Sequence, residues 1–171
     1  THPLEGVVVV DDGPTDGTRR IASKFDCDII RLPPHRQSHI GSPLIAEALN
    51  RGLGLIETRY PDADYILQVG ADHLLSKDYV ETLLGRMKGR YVVASGRLRG
   101  MKMSPTAPPG SGRLIDAAFW RSVNGMRFPA SAGWESWLIY KALQMGRGVR
   151  CFNDIVTEGR PTRMSVPKAR G

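Results

Sequence analysis

The sequence predicts an α/β domain: a Rossmann-like, mostly parallel sheet flanked by helices. Three observations carry that expectation. Short β-branched or aromatic runs alternate with segments of helical apolar spacing, the pattern of βαβ units. The opening run VVVV is apolar at every position, as in a strand covered on both faces. It then switches abruptly to DDGPTDGT, and Asp, Gly and Pro after an apolar run mark the carboxyl end of a strand, where open α/β sheets bind ligands. With 171 residues, 41% of them hydrophobic and 24% charged, the chain suits one domain with a sizeable core, residues 1–171.

Taken in order, residues 7–10, 28–32, 65–69, 91–95 and 149–152 are the expected strands. The helix after the opening turn places Ile21, Ala22 and Phe25 on one face, with Asp16 or Thr18 as its N-cap. A second helix, residues 43–57, runs through Leu44, Ile45, Ala48, Leu49 and Leu53. Ser76 caps a third, in which Val80, Leu83, Leu84 and Met87 recur at helical spacing. Residues 97–113, RLRGMKMSPTAPPGSGR, are too long and too rich in Pro, Gly and Ser for a simple connection, so a flexible loop is expected there: a lid, a substrate loop or a disordered segment. Beyond it, residues 114–123 and 134–145 read as helices. The basic tail, residues 153–171, shows no period and is expected to be an extended arm.

Charge narrows the partners. The 24 Lys and Arg against 17 Asp and Glu leave a net +7, which suits phosphate, nucleic acid or an acidic membrane surface. Arg97, Arg99, Lys102 and Arg113 flank one loop, and Arg160, Arg163, Lys168 and Arg170 load the tail. No nucleic-acid-binding motif is present, and Trp134 and Trp137 follow a helix-core pattern, so a nucleic-acid partner is not expected. Cys27 and Cys151 lack metal spacing and read as thiols of a reducing, cytoplasmic compartment. No apolar run approaches the roughly 20 residues of a spanning helix, and no signal-peptide pattern opens the chain.

Three groups of residues can carry chemistry. Asp11, Asp12 and Asp16 crowd one strand end, where carboxylates repel unless a cation or hydrogen-bond donors sit among them. Asp72 and His73 follow a second buried strand and have the chemistry of divalent-metal ligands, although an Asp that simply caps a turn is the plainer reading. In one parallel sheet the two strands would bring Asp11, Asp12 and Asp72 to a common edge, suited to a nucleotide with a metal-bound diphosphate. Glu135 lies between Trp134 and Trp137, and a carboxylate desolvated by indoles is a stronger general base; a first-turn Glu favoured by the helix dipole is the alternative.

These pieces, in this order, resemble the family 2 glycosyltransferases of the GT-A fold over nearly the whole chain. DDGPTDGT is similar to the family's Asp-Asp-Gly-Ser-x-Asp-x-Thr turn, with Pro14 where Ser is usual; AEALNRGL is similar to its Ala-Arg-Asn-x-Gly-Leu helix, through Asn50 and Gly52. YILQVGADHLLSKDYVETLL resembles the segment bearing the metal-binding Asp-x-Asp. The resemblance implies transfer of a sugar from a UDP- or GDP-linked donor to an acceptor hydroxyl, with inversion and with Mg²⁺ or Mn²⁺. It implies residues 1–96 as the nucleotide-binding part and residues 97–171 as the acceptor part. Asp11, Asp12, Asn50, Asp72, Arg160 and Arg163 would hold the nucleotide, Asp72 and His73 the metal, and Glu135 would act as base.

The chain also departs from the family pattern. Gly70 stands where the family has its first metal-site Asp, and Ser136 follows Glu135 where the family has the Asp that serves as base. A nucleotide-sugar-binding protein impaired in catalysis therefore stands as an alternative. A haloacid-dehalogenase-like phosphatase is a weaker one, because its two Asp are separated by one residue and these are adjacent. The family's opening strand is expected to be missing, since the chain starts, with Thr1, at what would be the second. The basic loop suits a phosphorylated lipid or acidic glycan as acceptor, and allows a peripheral contact at the inner face of a membrane.

Overall fold

The opening valines form a strand whose direct neighbour is the next strand in the chain. In the computed structural model, which describes residues 3–13, 17–35, 39, 42–129 and 133–159, β1 (Val8–Asp11) pairs in parallel with β2 (Asp28–Arg31), from Val8 opposite Asp28 to Asp11 opposite Arg31. The short helix α1 (Thr18–Ala22) connects them. Its N-cap is Gly17, and Asp16 lies outside the described residues. The expected apolar face of α1 is not packed: Ile21 and Phe25 are exposed.

A second sheet has the order β3-β6-β5-β7-β4. Its members are β3 (Tyr65–Gln68), β4 (His73–Leu74), β5 (Val93–Leu98), β6 (Arg113–Asp116) and β7 (Val149–Gly159). β5 and β7 run parallel, while β3 with β6, β5 with β6, and β4 with β7 run antiparallel. The sheet is thus mixed in direction, and β1 and β3 do not share one sheet as expected. Helices α2 (Leu44–Arg59), α3 (Tyr79–Met87), α4 (Ala117–Asn124) and α5 (Trp134–Gln144) cover it.

Period-2 alternation explains the two-sided core. Val93 and Ile115 point into a cluster with Leu53 of α2, Trp120 of α4 and Leu138 of α5, while their neighbours Ala94 and Leu114 join Tyr79, Leu83 and Met87 of α3 on the opposite face. Trp120, Phe128 and Trp134 continue the first cluster with ring centroids 4.9 and 5.0 Å apart. Residues 93–96 of β5 and 113–115 of β6 are buried, including the polar Ser95 and the charged Arg113.

Two elements differ from expectation. The segment predicted as a helix over 114–123 begins as strand β6, and α4 starts only after Asp116, whose carboxylate accepts from the Phe119 amide at 2.7 Å. The tail predicted as an arm is strand as far as Gly159. Its period is hidden by an irregularity: Phe152 pairs with Gly96 and Val156 with Arg97, so residues 153–155 bulge out and reset the alternation. Among the described residues, no helix is long and apolar enough to cross a membrane.

Candidate functional site

Asp11 ends β1 as a buried carboxylate, 3% exposed, and its Oδ1 has no hydrogen-bond partner among the described residues. Its backbone carbonyl accepts from the Gly13 amide at 2.8 Å and the Leu32 amide at 2.9 Å, which clamps the turn against the end of β2. Gly13 has φ +71°, and a Cβ there would lie 2.4 Å from the Pro33 carbonyl, so both conformation and space require glycine. The next residue points elsewhere. Asp12 is half-buried, with His35 Nε2 3.3 Å from its Oδ1 and His39 Nδ1 3.0 Å from its Oδ2. Sequence reasoning missed both histidines; the signal was HRQSH, two imidazoles four residues apart in the loop after the second strand.

The end of β3 is built similarly. Among the described residues Gln68 Oε1 is buried without a partner, and the chain then turns through Gly70, Asp72 and His73. Gly70 donates its amide to Ser111 Oγ at 2.8 Å, and Asp72 Oδ1 lies 3.0 Å from His73 Nδ1. A Cβ at Gly70 would meet Asp72 Oδ1 at 3.0 Å, Ser111 Oγ at 3.3 Å and His73 Nδ1 at 3.4 Å. Position 70 therefore faces the same small polar cluster, whose side chains would have to give by a few tenths of an ångström to admit a Cβ there. β4 is held by β7, His73 opposite Gly159, so the chain leaves β7 beside Asp72. Arg160 and Arg163 themselves lie outside the described residues.

Glu135, in the first turn of α5, is exposed. The desolvation expected from its indole neighbours is not found, because Trp134 is buried in the core and Trp137 packs against it. The carboxylate instead lies over Gly110, where an added Cβ would come 2.5 Å from Oε1. Arg113 fixes this approach. Its buried guanidinium donates to the Glu135 carbonyl at 2.8 Å, the Pro108 carbonyl at 2.8 Å and the Pro109 carbonyl at 3.2 Å. Burial pushes Arg113 down to about 10, while the charge of Glu135 acts the other way.

Two further regions singled out by the sequence make specific contacts. The loop expected to be flexible is tied to β7: Asn153 accepts from the Met103 amide at 3.2 Å and donates to its carbonyl at 2.9 Å, and the Cys151 amide donates to the Pro105 carbonyl at 2.7 Å. Its basic residues are also engaged, with Arg97 donating to the Asn153 carbonyl and Arg99 paired to Glu158. Asn50, expected at the nucleotide, uses its amide elsewhere, donating to the Phe128 carbonyl and accepting from the Phe128 amide, both at 2.8 Å.

Comparison with known proteins places this arrangement. The chain resembles, in fold, the mannosyltransferase PcManGT from Pyrobaculum calidifontis in complex with GDP-Man and Mn²⁺, with TM-score 0.71 and 19% identity over 94% of this chain and 49% of that one. It also resembles glucosyl-3-phosphoglycerate synthase from Mycobacterium tuberculosis in complex with Mn²⁺, UDP and phosphoglyceric acid, with TM-score 0.62 and 17% identity over 93% of this chain and 61% of that one. The chain thus spans between about half and three fifths of the length of these structures. No curated protein sequence matches it. The family model for glycosyl transferase family 2 matches residues 1–138, most of the chain, and agrees with a GT-A fold whose first strand ends in a buried aspartate. The chain belongs to glycosyl transferase family 2.

Proposed function

We propose that this domain transfers a sugar from a nucleoside diphosphate donor to an acceptor hydroxyl, with inversion at the anomeric carbon. The observation that carries the reading is the Asp11 carboxylate, buried at the end of β1 with one oxygen unpartnered among the described residues. A buried carboxylate oxygen without a donor is costly, and an N–H or O–H of a nucleoside supplies one. Gln68 Oε1, also unpartnered among the described residues, offers a second acceptor at the end of β3. Asp12 faces His35 and His39, so its expected part in gripping the nucleoside passes mainly to Asp11.

Asp72, its side chain 47% exposed, fits a divalent ion in the way hard cations are commonly held at phosphate sites, by one or two carboxylates plus the phosphates themselves. His73 orients it through the 3.0 Å contact. Mg²⁺ or Mn²⁺ bound there would neutralise charge on the departing diphosphate; Mn²⁺ accompanies both related structures. Arg160 and Arg163 follow β7 in the chain and are proposed as further partners of the phosphates. Glu135, held beside Gly110 by Arg113, takes the proton of the acceptor hydroxyl as its oxygen bonds to the anomeric carbon and the nucleoside diphosphate leaves. GDP- and UDP-linked sugars are the donors to screen first. Two unpaired cysteines suit the reducing cytoplasm, where we place the reaction.

The test is calorimetric titration of UDP- and GDP-sugars with and without Mn²⁺. Asp11→Asn should weaken binding about tenfold or more, the scale of one lost charge-assisted hydrogen bond. Asp72→Ala should abolish the Mn²⁺ enhancement, and equal binding without metal in the unaltered protein would overturn its role. Glu135→Gln should bind donor and fail to transfer; unchanged turnover would move the base elsewhere. Gly70 and Ser136 favour one second reading, a donor-binding protein that does not transfer, and tight binding by a protein that turns nothing over would select it.

A further inference from the structure

Two of the four histidines in the chain converge on a carboxylate outside the Asp72 cluster. Asp12 Oδ1 lies 3.3 Å from His35 Nε2, and Oδ2 lies 3.0 Å from His39 Nδ1. The imidazoles stack with centroids 3.7 Å apart and planes 17° apart, so both turn a nitrogen edge to the same carboxylate. One ligand atom from each of the three residues lies within 4.8 Å of the other two.

We propose that Asp12, His35 and His39 form a binding site for a borderline transition ion, Zn²⁺. Two imidazole nitrogens and one carboxylate oxygen are a common zinc donor set. Bonds of about 2.0–2.2 Å in tetrahedral geometry set neighbouring donors roughly 3.3 Å apart. Both pairs that share Asp12 Oδ1, 3.3 Å to His35 Nε2 and 3.2 Å to His39 Nδ1, already have about that spacing. The third closes by turning side chains that keep room to move, since Asp12, His35 and His39 are 31%, 26% and 19% exposed. Hard Mg²⁺ and Mn²⁺ favour all-oxygen sites, so this cluster and Asp72 select different ions.

The backbone holds the Asp12 turn and the segment leading to His35 together before any ion arrives. The Gly13 and Leu32 amides both bond the Asp11 carbonyl, and the absent side chain of Gly13 admits the Pro33 carbonyl, so β1 and the segment leading to His35 are held together through main chain. Binding therefore needs little reorganisation of this strand end. Three protein ligands leave a fourth position for water or a ligand oxygen. The site does not depend on the sugar-transfer reading.

The experiment titrates Co²⁺, as a visible stand-in for Zn²⁺, into the metal-stripped full chain. One equivalent should give the intense visible bands of a tetrahedral ion, and Zn²⁺ should remove them. His39→Gln and His35→Ala should each weaken the site about tenfold or more, whereas Asp72→Ala should leave it intact. Zn²⁺ should also raise the melting temperature of the unaltered protein and not of His39→Gln, which checks the result on folded protein. Absent bands, bands unchanged in both histidine variants, or bands lost in Asp72→Ala overturn the proposal. Loss of donor binding in Asp72→Ala with the Co²⁺ bands retained separates the two sites.

Discussion

Tyr79 shows how one hydroxyl can fasten three segments. It is 1% exposed, donates to the Gly112 carbonyl at 2.5 Å and accepts from the Gly96 amide at 2.8 Å, joining α3 to β5 and to the residue before β6. Burial pushes its ionisation up to about 12 from an ordinary value of 10.0. A raised phenol favours the folded state while neutral, so its contribution is whole below about pH 10 and fades as pH rises toward 12. Denaturant titrations at pH 8 and pH 11 should therefore show less alkaline loss in Tyr79→Phe than in the unaltered protein. At pH 8 the variant should be less stable by about 1–3 kcal/mol, the cost of stranding buried backbone partners. At this scale the sequence revealed which residues could act, not what they touch. Asp11 and Asp12 were legible as a pair because strand and turn chemistry are local. That alternation buries the first and aims the second at His35 and His39 depends on a loop that no local pattern describes.

Among the elements, two helical glycines have opposite meanings. Gly52 of α2 packs on β1, and a Cβ there would sit 2.7 Å from Val10 Cγ2, whereas a Cβ at Gly85 of α3 would meet nothing within 4 Å. Gly85→Ala should stabilise by about 0.5–1 kcal/mol through helix propensity. Gly52→Ala should destabilise despite the same gain, because overpacking costs roughly 1–3 kcal/mol. Urea unfolding of the pair checks the contrast. The same locality explains what was legible. α2 and α3 carry helical apolar spacing and were read nearly to their ends. β6 reads as helix because Leu114 and Ile115 run on into the apolar residues of α4; the break is Asp116, the N-cap of α4, and pairing with β3 and β5 makes the residues before it a strand. The end of β7 was hidden by its bulge at residues 153–155.

Across the whole molecule, the part carrying Asp11 and the part carrying Glu135 are joined through α2. Asn50 bonds Phe128 with both halves of its amide across 78 residues of chain, and Phe128 packs between Trp120 and Trp134, tilted to the first and edge-on to the second. Asn50→Ala should lower stability by about 1–3 kcal/mol and speed hydrogen exchange at the Phe128 amide, while nucleoside diphosphate affinity changes little. The motif AEALNRGL made this residue visible, but a separation of 78 residues concealed its partner. The sheet order has a further consequence, for biosynthesis. β7 is the last described strand to be made, yet it lies inside the sheet, between β5 and β4. A nascent chain can form β1, β2 and their helix early, but the two-residue strand beside Asp72 has no edge to join until Gly159 has left the ribosome. The corner at Asp72 is thus assembled last, and a chain released before that point carries the Asp11 strand end without the β4–β7 pairing beside Asp72.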